Sequence, residues 1–132
     1  MEKKILIIED DSMLRSALAE WLSGEGYEVR GCSSVVEAFE QIEETKPDVI
    51  LTDLVMANHN GFDVLKKVKE DARLNSIIVL VMSNSSQDKD FEKAILMGAK
   101  DFFSKSDLSL KEIVDRVKKV ISETEPPSAA LE

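Results

Sequence analysis

The sequence is poor in several features that mark particular protein classes. It has one cysteine, Cys32, among 132 residues, so no internal disulfide can form. A single free thiol and the lack of an N-terminal signal peptide indicate a reducing cytoplasm. The longest apolar runs fall far short of the ~20 residues that a membrane-spanning helix needs, so no membrane association is predicted.

Basic residues are also scarce relative to acidic ones. The chain has 17 Lys and Arg against 26 Asp and Glu, a net charge of −9. This balance argues against direct nucleic-acid binding by this domain, because phosphate backbones require clustered cations. The length fits one domain, expected over residues 1–123. Residues 124–132 contain two prolines and no apolar periodicity. We expect a disordered tail there, and its last two residues resemble the remnant of an expression vector.

What the chain does have is a regular alternation of short apolar runs with amphipathic stretches. Five runs predict strands over 3–9, 27–32, 48–53, 76–83 and 101–105. Five stretches with spacings of three and four predict helices, the first from Ser12 to the glycines at 24 and 26, the others over 33–45, 62–71, 86–99 and 108–123. This alternation predicts a parallel sheet with helices on both faces, for which the flavodoxin-like order 2-1-3-4-5 is one common solution.

The first helix has the clearest apolar pattern. Its expected face is formed by Met13, Leu14, Ala17, Leu18, Trp21 and Leu22. Asp11 precedes it and is a plausible N-cap. Trp21 and Cys32 are expected to pack in the core. In the fourth helix the expected face contains Phe91, Ala94 and Ile95.

Polar residues collect at the carboxyl ends of the predicted strands. Glu9 and Asp10 follow the first strand, Asp53 ends the third, Ser83 the fourth and Lys105 the fifth. Ligands of open α/β sheets bind outside these ends, near the point where the strand order reverses. In the order 2-1-3-4-5 the first and third strands are neighbours at that point, so Glu9, Asp10 and Asp53 should converge.

Three converging carboxylates repel one another unless a cation or a proton lies among them. An oxygen-only cluster without His or Cys favours a hard cation, and Mg²⁺ fits better than Zn²⁺. The Lys105 ammonium and the Ser83 hydroxyl are suited to hold a phosphate near such a metal. A carboxylate can itself be the nucleophile and form an aspartyl phosphate. The pattern therefore favours phosphoryl transfer.

These residues resemble the receiver domain of bacterial two-component response regulators, including the single-domain chemotaxis type. The resemblance covers about residues 3–122, and its marks are the Glu9-Asp10 pair, Asp53, Ser83, Phe102 and Lys105, in the family's order. It implies that a sensor histidine kinase or phosphotransfer protein donates a phosphoryl group to Asp53. A downstream protein or output domain would then respond to the face formed by the fourth helix, fifth strand and fifth helix. The sequence leaves homodimerisation open.

The resemblance also implies a role for each site residue. Mg²⁺, with Mn²⁺ as a substitute, would be bound by Asp10, Asp53, the backbone carbonyl of Val55 and, mostly through water, Glu9. Ser83, Lys105 and the backbone N–H of Asn84 would contact the phosphoryl group. Ser83 and Phe102 would form the switch. The domain would assist its own phosphorylation and dephosphorylation but would not be an enzyme in the ordinary sense.

Three positions depart from the family's usual pattern. Met56-Ala57 stands where Met-Pro is usual, and Lys105-Ser106 where Lys-Pro, generally associated with a cis bond, is usual. A cis bond before a non-proline residue costs ~2.5–4 kcal/mol. Asn84 is larger than the Ala or Gly common after the switch hydroxyl. We expect these departures to affect rates and switching amplitude rather than phosphorylation itself.

Three alternatives remain open. A haloacid-dehalogenase-type phosphatase also uses an Asp nucleophile, but it would have a second Asp where this chain has Val55. A flavodoxin would have a Ser/Thr/Gly-rich phosphate loop where this chain has the acidic segment 9–13. A receiver-shaped scaffold that no longer takes phosphate is the third.

His59, the one histidine, lies in the loop after Asp53 and is expected to be exposed.

Overall fold

The computed structural model describes residues 3–54, 61–84 and 88–124, and within these ranges the strands and helices alternate as predicted. The strands are β1 Lys4–Ile8, β2 Glu28–Cys32, β3 Val49–Asp53, β4 Ile78–Ser83 and β5 Asp101–Ser104. The helices are α1 Ser12–Gly24, α2 Val35–Thr45, α3 Gly61–Glu70, α4 Asp88–Leu96 and α5 Leu110–Thr124. Val55, Ala57, His59 and residues 125–132 of the expected tail lie outside the described residues.

All strand pairs of the sheet are parallel, and the strand order is β2-β1-β3-β4-β5. The predicted flavodoxin-like architecture is therefore confirmed. The register pairs Ile8 with Thr52, Asp53 with Met82 and Ser83 with Ser104. The residues that end β1, β3 and β4 therefore meet at one edge, and this edge positions the site described below.

The sheet separates two apolar layers. Alternate strand residues such as Ile8, Ile50 and Val81 pack with α2, α3 and α4, whereas Ile7, Leu51 and Met82 pack with α1 and α5. All five residues of β3 are buried. A central strand covered on both faces requires a near-continuous apolar run, which explains why β3 and β4 are apolar up to their last one or two residues rather than alternating. No helix among the described residues is both long and apolar enough to cross a bilayer.

The start of α1 confirms one local prediction. The Asp11 carboxylate accepts hydrogen bonds from the main-chain N–H groups of Met13 (3.0 Å) and Leu14 (3.2 Å), as an N-cap residue does. The third acid of the segment 9–11 is thus used to begin a helix. Glu9 and Asp10 remain for the edge of the sheet.

The predicted apolar face of α1 was too wide. Leu18 and Leu22 are fully buried, but Met13 is 83% exposed and Trp21 44% exposed, so the expectation that Trp21 packs in the core was wrong. The buried stripe follows residues 18 and 22. Residues 17 and 21 each lie about 100° around the helix from it, and residue 13 lies farther round, about 140° from residue 18. In α4, similarly, Ala94 is buried while Phe91 and Ile95 are exposed. Cys32 is buried, as expected.

Candidate functional site

Three carboxylates meet at the carboxyl-terminal edge of the sheet. Glu9 and Asp10 directly follow β1, and Asp53 is the last residue of the neighbouring strand β3. One carboxylate oxygen from each lies within 4.8 Å of the other two. Glu9 is fully buried and Asp53 is 3% exposed, whereas Asp10 is exposed. The strand order thus brings together residues that are 44 positions apart in the chain, as the sequence predicts.

Lys105 reaches this cluster from β5. Its main-chain N–H donates to the carbonyl of Ser83 at 2.7 Å, which fixes the residue beside the end of β4. Its Nζ donates to Glu9 Oε1 at 2.6 Å and to Asp53 Oδ2 at 3.2 Å. The side chain is 11% exposed, so these ion pairs are largely removed from solvent. One ammonium group therefore bridges two buried carboxylates.

Burial dominates the electrostatics of the cluster. Desolvation raises the pKa of Glu9 to about 7, although the Lys105 ammonium and the N–H of Asp11 oppose the shift, and the negative charge of Asp53 adds to it. Desolvation alone would lower the pKa of Lys105. The hydrogen bond to Glu9 and the charges of Asp53 and Glu9 outweigh it, so the pKa of Lys105 is raised. Lys105 thus stays protonated and places one positive charge beside three carboxyl groups.

The donor set fits a hard divalent cation. Glu9, Asp10 and Asp53 offer carboxylate oxygens, and no imidazole or thiolate from the described part of the chain joins them. Such an oxygen set is typical of Mg²⁺ or Mn²⁺ sites. The exposure of Asp10 leaves one side of the cluster open to water and to a phosphate oxygen. Val55, whose carbonyl was predicted to complete the set, lies outside the described residues.

The other predicted site residues, Ser83, Asn84 and Phe102, belong to β4, to the position after it and to β5. Ser83 ends β4, is 2% exposed and is joined to Lys105 through the main chain. Asn84 follows it at the surface. Phe102 is 9% exposed and turned inward, where its ring makes an edge contact with Phe91 of α4, with the ring centroids 5.7 Å apart. The Lys105–Ser106 peptide bond is trans.

Two residues that support the site were not singled out from the sequence. Gly61, the first residue of α3, donates its N–H to the Leu54 carbonyl at 2.6 Å. A Cβ atom there would lie 2.4 Å from the carbonyl oxygen of Asp53, so only glycine lets α3 begin this close to the strand end. Arg15 of α1 donates from Nη1 to the Glu9 carbonyl at 2.6 Å. The sequence did contain a signal for Arg15, because this basic residue follows the three acids by about one helical turn.

Comparisons with known proteins agree with this arrangement. The family model for the response regulator receiver domain matches residues 5–118. The chain is 36% identical over 107 residues to the chemotaxis protein CheY of Thermotoga maritima, covering 80% of this chain and 87% of that protein.

A longer relative and a solved structure extend the comparison. The chain is 30% identical over 135 residues to the alkaline phosphatase synthesis transcriptional regulatory protein PhoP of Bacillus subtilis, covering 99% of this chain but only 54% of that protein. It thus spans about half the length of this relative. The non-phosphorylated HemR receiver domain from Leptospira biflexa superposes with a TM-score of 0.86 at 27% identity, covering 95% and 98% of the two chains. The chain belongs to the response regulator receiver domain family.

Proposed function

We propose that this receiver domain, assigned to residues 1–123, accepts a phosphoryl group on Asp53 in a Mg²⁺-dependent reaction. The observation that supports this most directly is the pairing of a buried aspartate with Lys105, 3.2 Å away, beside two further carboxylates. The donor would be the phosphohistidine of a sensor histidine kinase or phosphotransfer protein. The domain would act in the cytoplasm as a signalling phosphoacceptor.

The metal would be held by Glu9, Asp10 and Asp53, with the backbone carbonyl of Val55 as a further ligand. When bound, Mg²⁺ supplies positive charge next to the phosphoryl oxygens. The cluster supports this assignment because its acids outnumber the one ammonium group among them.

The transfer uses this chain's own groups as follows. A carboxylate oxygen of Asp53 attacks the phosphorus, a new O–P bond forms, and the P–N bond to the donor histidine breaks. The electron pair of that bond stays on the histidine nitrogen. Lys105, kept protonated by its acidic neighbours, donates to a phosphoryl oxygen, and the Ser83 hydroxyl and the Asn84 N–H donate to others. The domain thus contributes positioning and charge neutralisation.

Phosphorylation would change the surface through Ser83 and Phe102. Movement of Ser83 toward the phosphoryl group would alter the space next to Phe102, whose ring touches Phe91 on α4. Phe91 and Ile95 are 45% and 39% exposed, so the α4-β5-α5 face already presents apolar surface to a partner. A shift from 1:99 to 99:1 between two arrangements needs ~5.5 kcal/mol of differential stabilisation. A downstream protein or output domain would respond to the new arrangement.

Mass spectrometry after incubation with acetyl phosphate and Mg²⁺ tests this proposal. The wild type is expected to gain one phosphoryl mass, and Asp53→Asn none. Asp48→Asn is the matched control, because Asp48 precedes the same strand at its other, exposed end. Labelling that persists in Asp53→Asn would contradict the assignment. A wild type that is never labelled by any donor would favour the phosphate-independent scaffold.

A further inference from the structure

The main chain of Glu9 is held from two sides. Its N–H donates to the Cys32 carbonyl on β2 at 3.0 Å. Its carbonyl accepts from the Arg15 guanidinium on α1 at 2.6 Å, a short charge-assisted hydrogen bond. The Glu9 carboxylate in turn accepts from the N–H of Asp11 at 3.1 Å. The turn that carries Glu9 and Asp10 is therefore fixed by both a strand and a helix.

The path of the Arg15 side chain depends on a glycine. Gly31 lies on β2 opposite Ile7 of β1. A Cβ atom at Gly31 would lie 3.1 Å from both Cγ and Cδ of Arg15, a distance tighter than ordinary van der Waals contact. The stem of Arg15 thus passes over the position where any other residue would carry a side chain. Gly31 leaves the room that lets the guanidinium reach Glu9.

We propose that Arg15 is a positioning residue for the metal site and that Gly31 keeps its path open. Arg15 would hold the turn so that the carboxylates of Glu9 and Asp10 stay close to Asp53. This inference rests on the proposed function, since it concerns the same Mg²⁺ site. Arg15 binds the carbonyl of Glu9 and so acts through the turn rather than by touching the phosphoryl group.

Removing Arg15 should change the Mg²⁺ affinity in opposite directions for a positioning role and for a purely electrostatic role. If Arg15 acted only as a nearby positive charge, it would repel Mg²⁺, and its removal would tighten binding. If Arg15 positions the carboxylates, its removal loosens binding although the site becomes more negative. Groups that orient metal ligands typically contribute ~10–100-fold to metal affinity.

Isothermal titration with Mg²⁺ on the full chain measures this sign. Arg15→Met is expected to weaken Mg²⁺ binding about tenfold. Arg15→Lys, which keeps the charge and a donor, is expected to fall between Arg15→Met and the wild type. Arg73→Met is the matched control, because it removes the same charge from an exposed residue that pairs with Glu43 and Asp71. An Arg15→Met variant that binds Mg²⁺ as tightly as the wild type, or more tightly, overturns the proposal.

Gly31→Ala tests the same idea with every charge retained. It is expected to weaken Mg²⁺ binding in the direction of Arg15→Met, whereas Gly24→Ala, which has open space around the added methyl, leaves binding unchanged. Unchanged Mg²⁺ affinity in Gly31→Ala would overturn the part assigned to Gly31.

Amide hydrogen exchange provides a readout that does not need the metal. Arg15→Met should accelerate exchange at Glu9 and Asp11, whose N–H groups donate to the Cys32 carbonyl and the Glu9 carboxylate, more than elsewhere. An equal change in exchange rate across the domain would count against the positioning role. If the wild type binds no Mg²⁺, the proposed function loses its metal, and the exchange data still decide whether Arg15 holds the turn.

Discussion

An aspartate stands at each end of β3, and a lysine flanks each end of β5. The surroundings of these residues differ between the two edges of the sheet. Asp48 and Lys100 precede the strands at the amino-terminal edge of the sheet, where they are exposed and line an open cavity of about 380 Å³. The Asp48 carboxylate accepts a hydrogen bond from the main-chain N–H of Lys4 at 2.8 Å. At the opposite edge Asp53 ends β3 and Lys105 follows β5. Both side chains are largely buried there, and they form an ion pair.

The difference shows that burial and convergence, rather than residue type, create the candidate site. At the amino-terminal edge water solvates each charge, so a substitution has few partners to affect. At the carboxyl-terminal edge each charged group depends on the others, because a buried charge without a partner is costly. Matched substitutions at the two edges therefore test the comparison directly.

Lys105→Met against Lys100→Met is expected to give the largest contrast. Lys105→Met should slow phosphorylation by acetyl phosphate about a hundredfold, since it removes the donor that the proposed reaction uses to stabilise the developing charge. It should also lower the free energy of unfolding by about 2 kcal/mol, because Glu9 and Asp53 lose their shared partner. Lys100→Met should change stability by less than about 0.5 kcal/mol. Phosphorylation kinetics with Mg²⁺ measure the rate, and urea denaturation without divalent cations measures the free energy of unfolding. Equal effects of Lys105→Met and Lys100→Met would refute the comparison.

Gly61→Ala is expected to have the next largest effect. The added methyl would lie 2.4 Å from the Asp53 carbonyl oxygen and 3.0 Å from the Leu54 Cα, so the backbone must move. We expect a loss of about 2 kcal/mol in unfolding free energy and slower phosphorylation of Asp53. Gly24→Ala, with no heavy atom within 4 Å, should be neutral or slightly stabilising. Chemical denaturation measures the free energy of unfolding of the two variants, and phosphorylation kinetics measure the rate at Asp53. A Gly61→Ala variant that is as stable and as rapidly phosphorylated as the wild type would contradict the steric argument.

Glu9→Gln is expected to have the smallest effect, and one that depends on pH. Burial raises the pKa of Glu9 from 4.5 to about 7, so the folded state holds this proton more tightly than the unfolded state. The stability from protonated Glu9 is fully present below pH 4.5 and is lost as the pH rises through about 7. Without Mg²⁺, Glu9→Gln should therefore gain stability relative to the wild type over this range, on the order of 1 kcal/mol.

Thermal denaturation at several pH values, with EDTA and with Mg²⁺, measures this effect. Added Mg²⁺ should stabilise the wild type more as the pH rises, because it favours the ionised carboxylate. Parallel pH profiles for the wild type and Glu9→Gln in EDTA would show that Glu9 is not the titrating group.

The sequence predicted those parts of the site that depend on strand ends. Apolar runs are local, so the end of each strand can be read directly, and Glu9, Asp53 and Lys105 are the polar residues that follow or end such runs. Parallel pairing then brings these ends to one edge without any further detail. The strand order was one common solution for five alternating strands, and the structure has it. The N-cap at Asp11 followed from the place of this acid before the first helix.

What the sequence could not predict depends on three-dimensional packing. The spacing of Met13 and Trp21 fits a buried face, yet only the crossing of α1 over the sheet decides which flank meets solvent. The closeness of Gly61 to the Asp53 carbonyl depends on where α3 begins relative to the end of β3. The reach of Arg15 to Glu9 depends on a missing side chain on β2, which no local pattern indicates.

The ion pairs of Lys105 also have a consequence for folding. They join residues 96 and 52 positions apart, so the cluster forms only when the first, third and fifth strands are all in the sheet. Contacts between residues so distant in sequence form late and slowly, because long loops must close first. A partly folded chain without β5 would contain the acids but not their cation. Phosphorylation competence is therefore expected to appear all at once, as a report that the whole domain has folded.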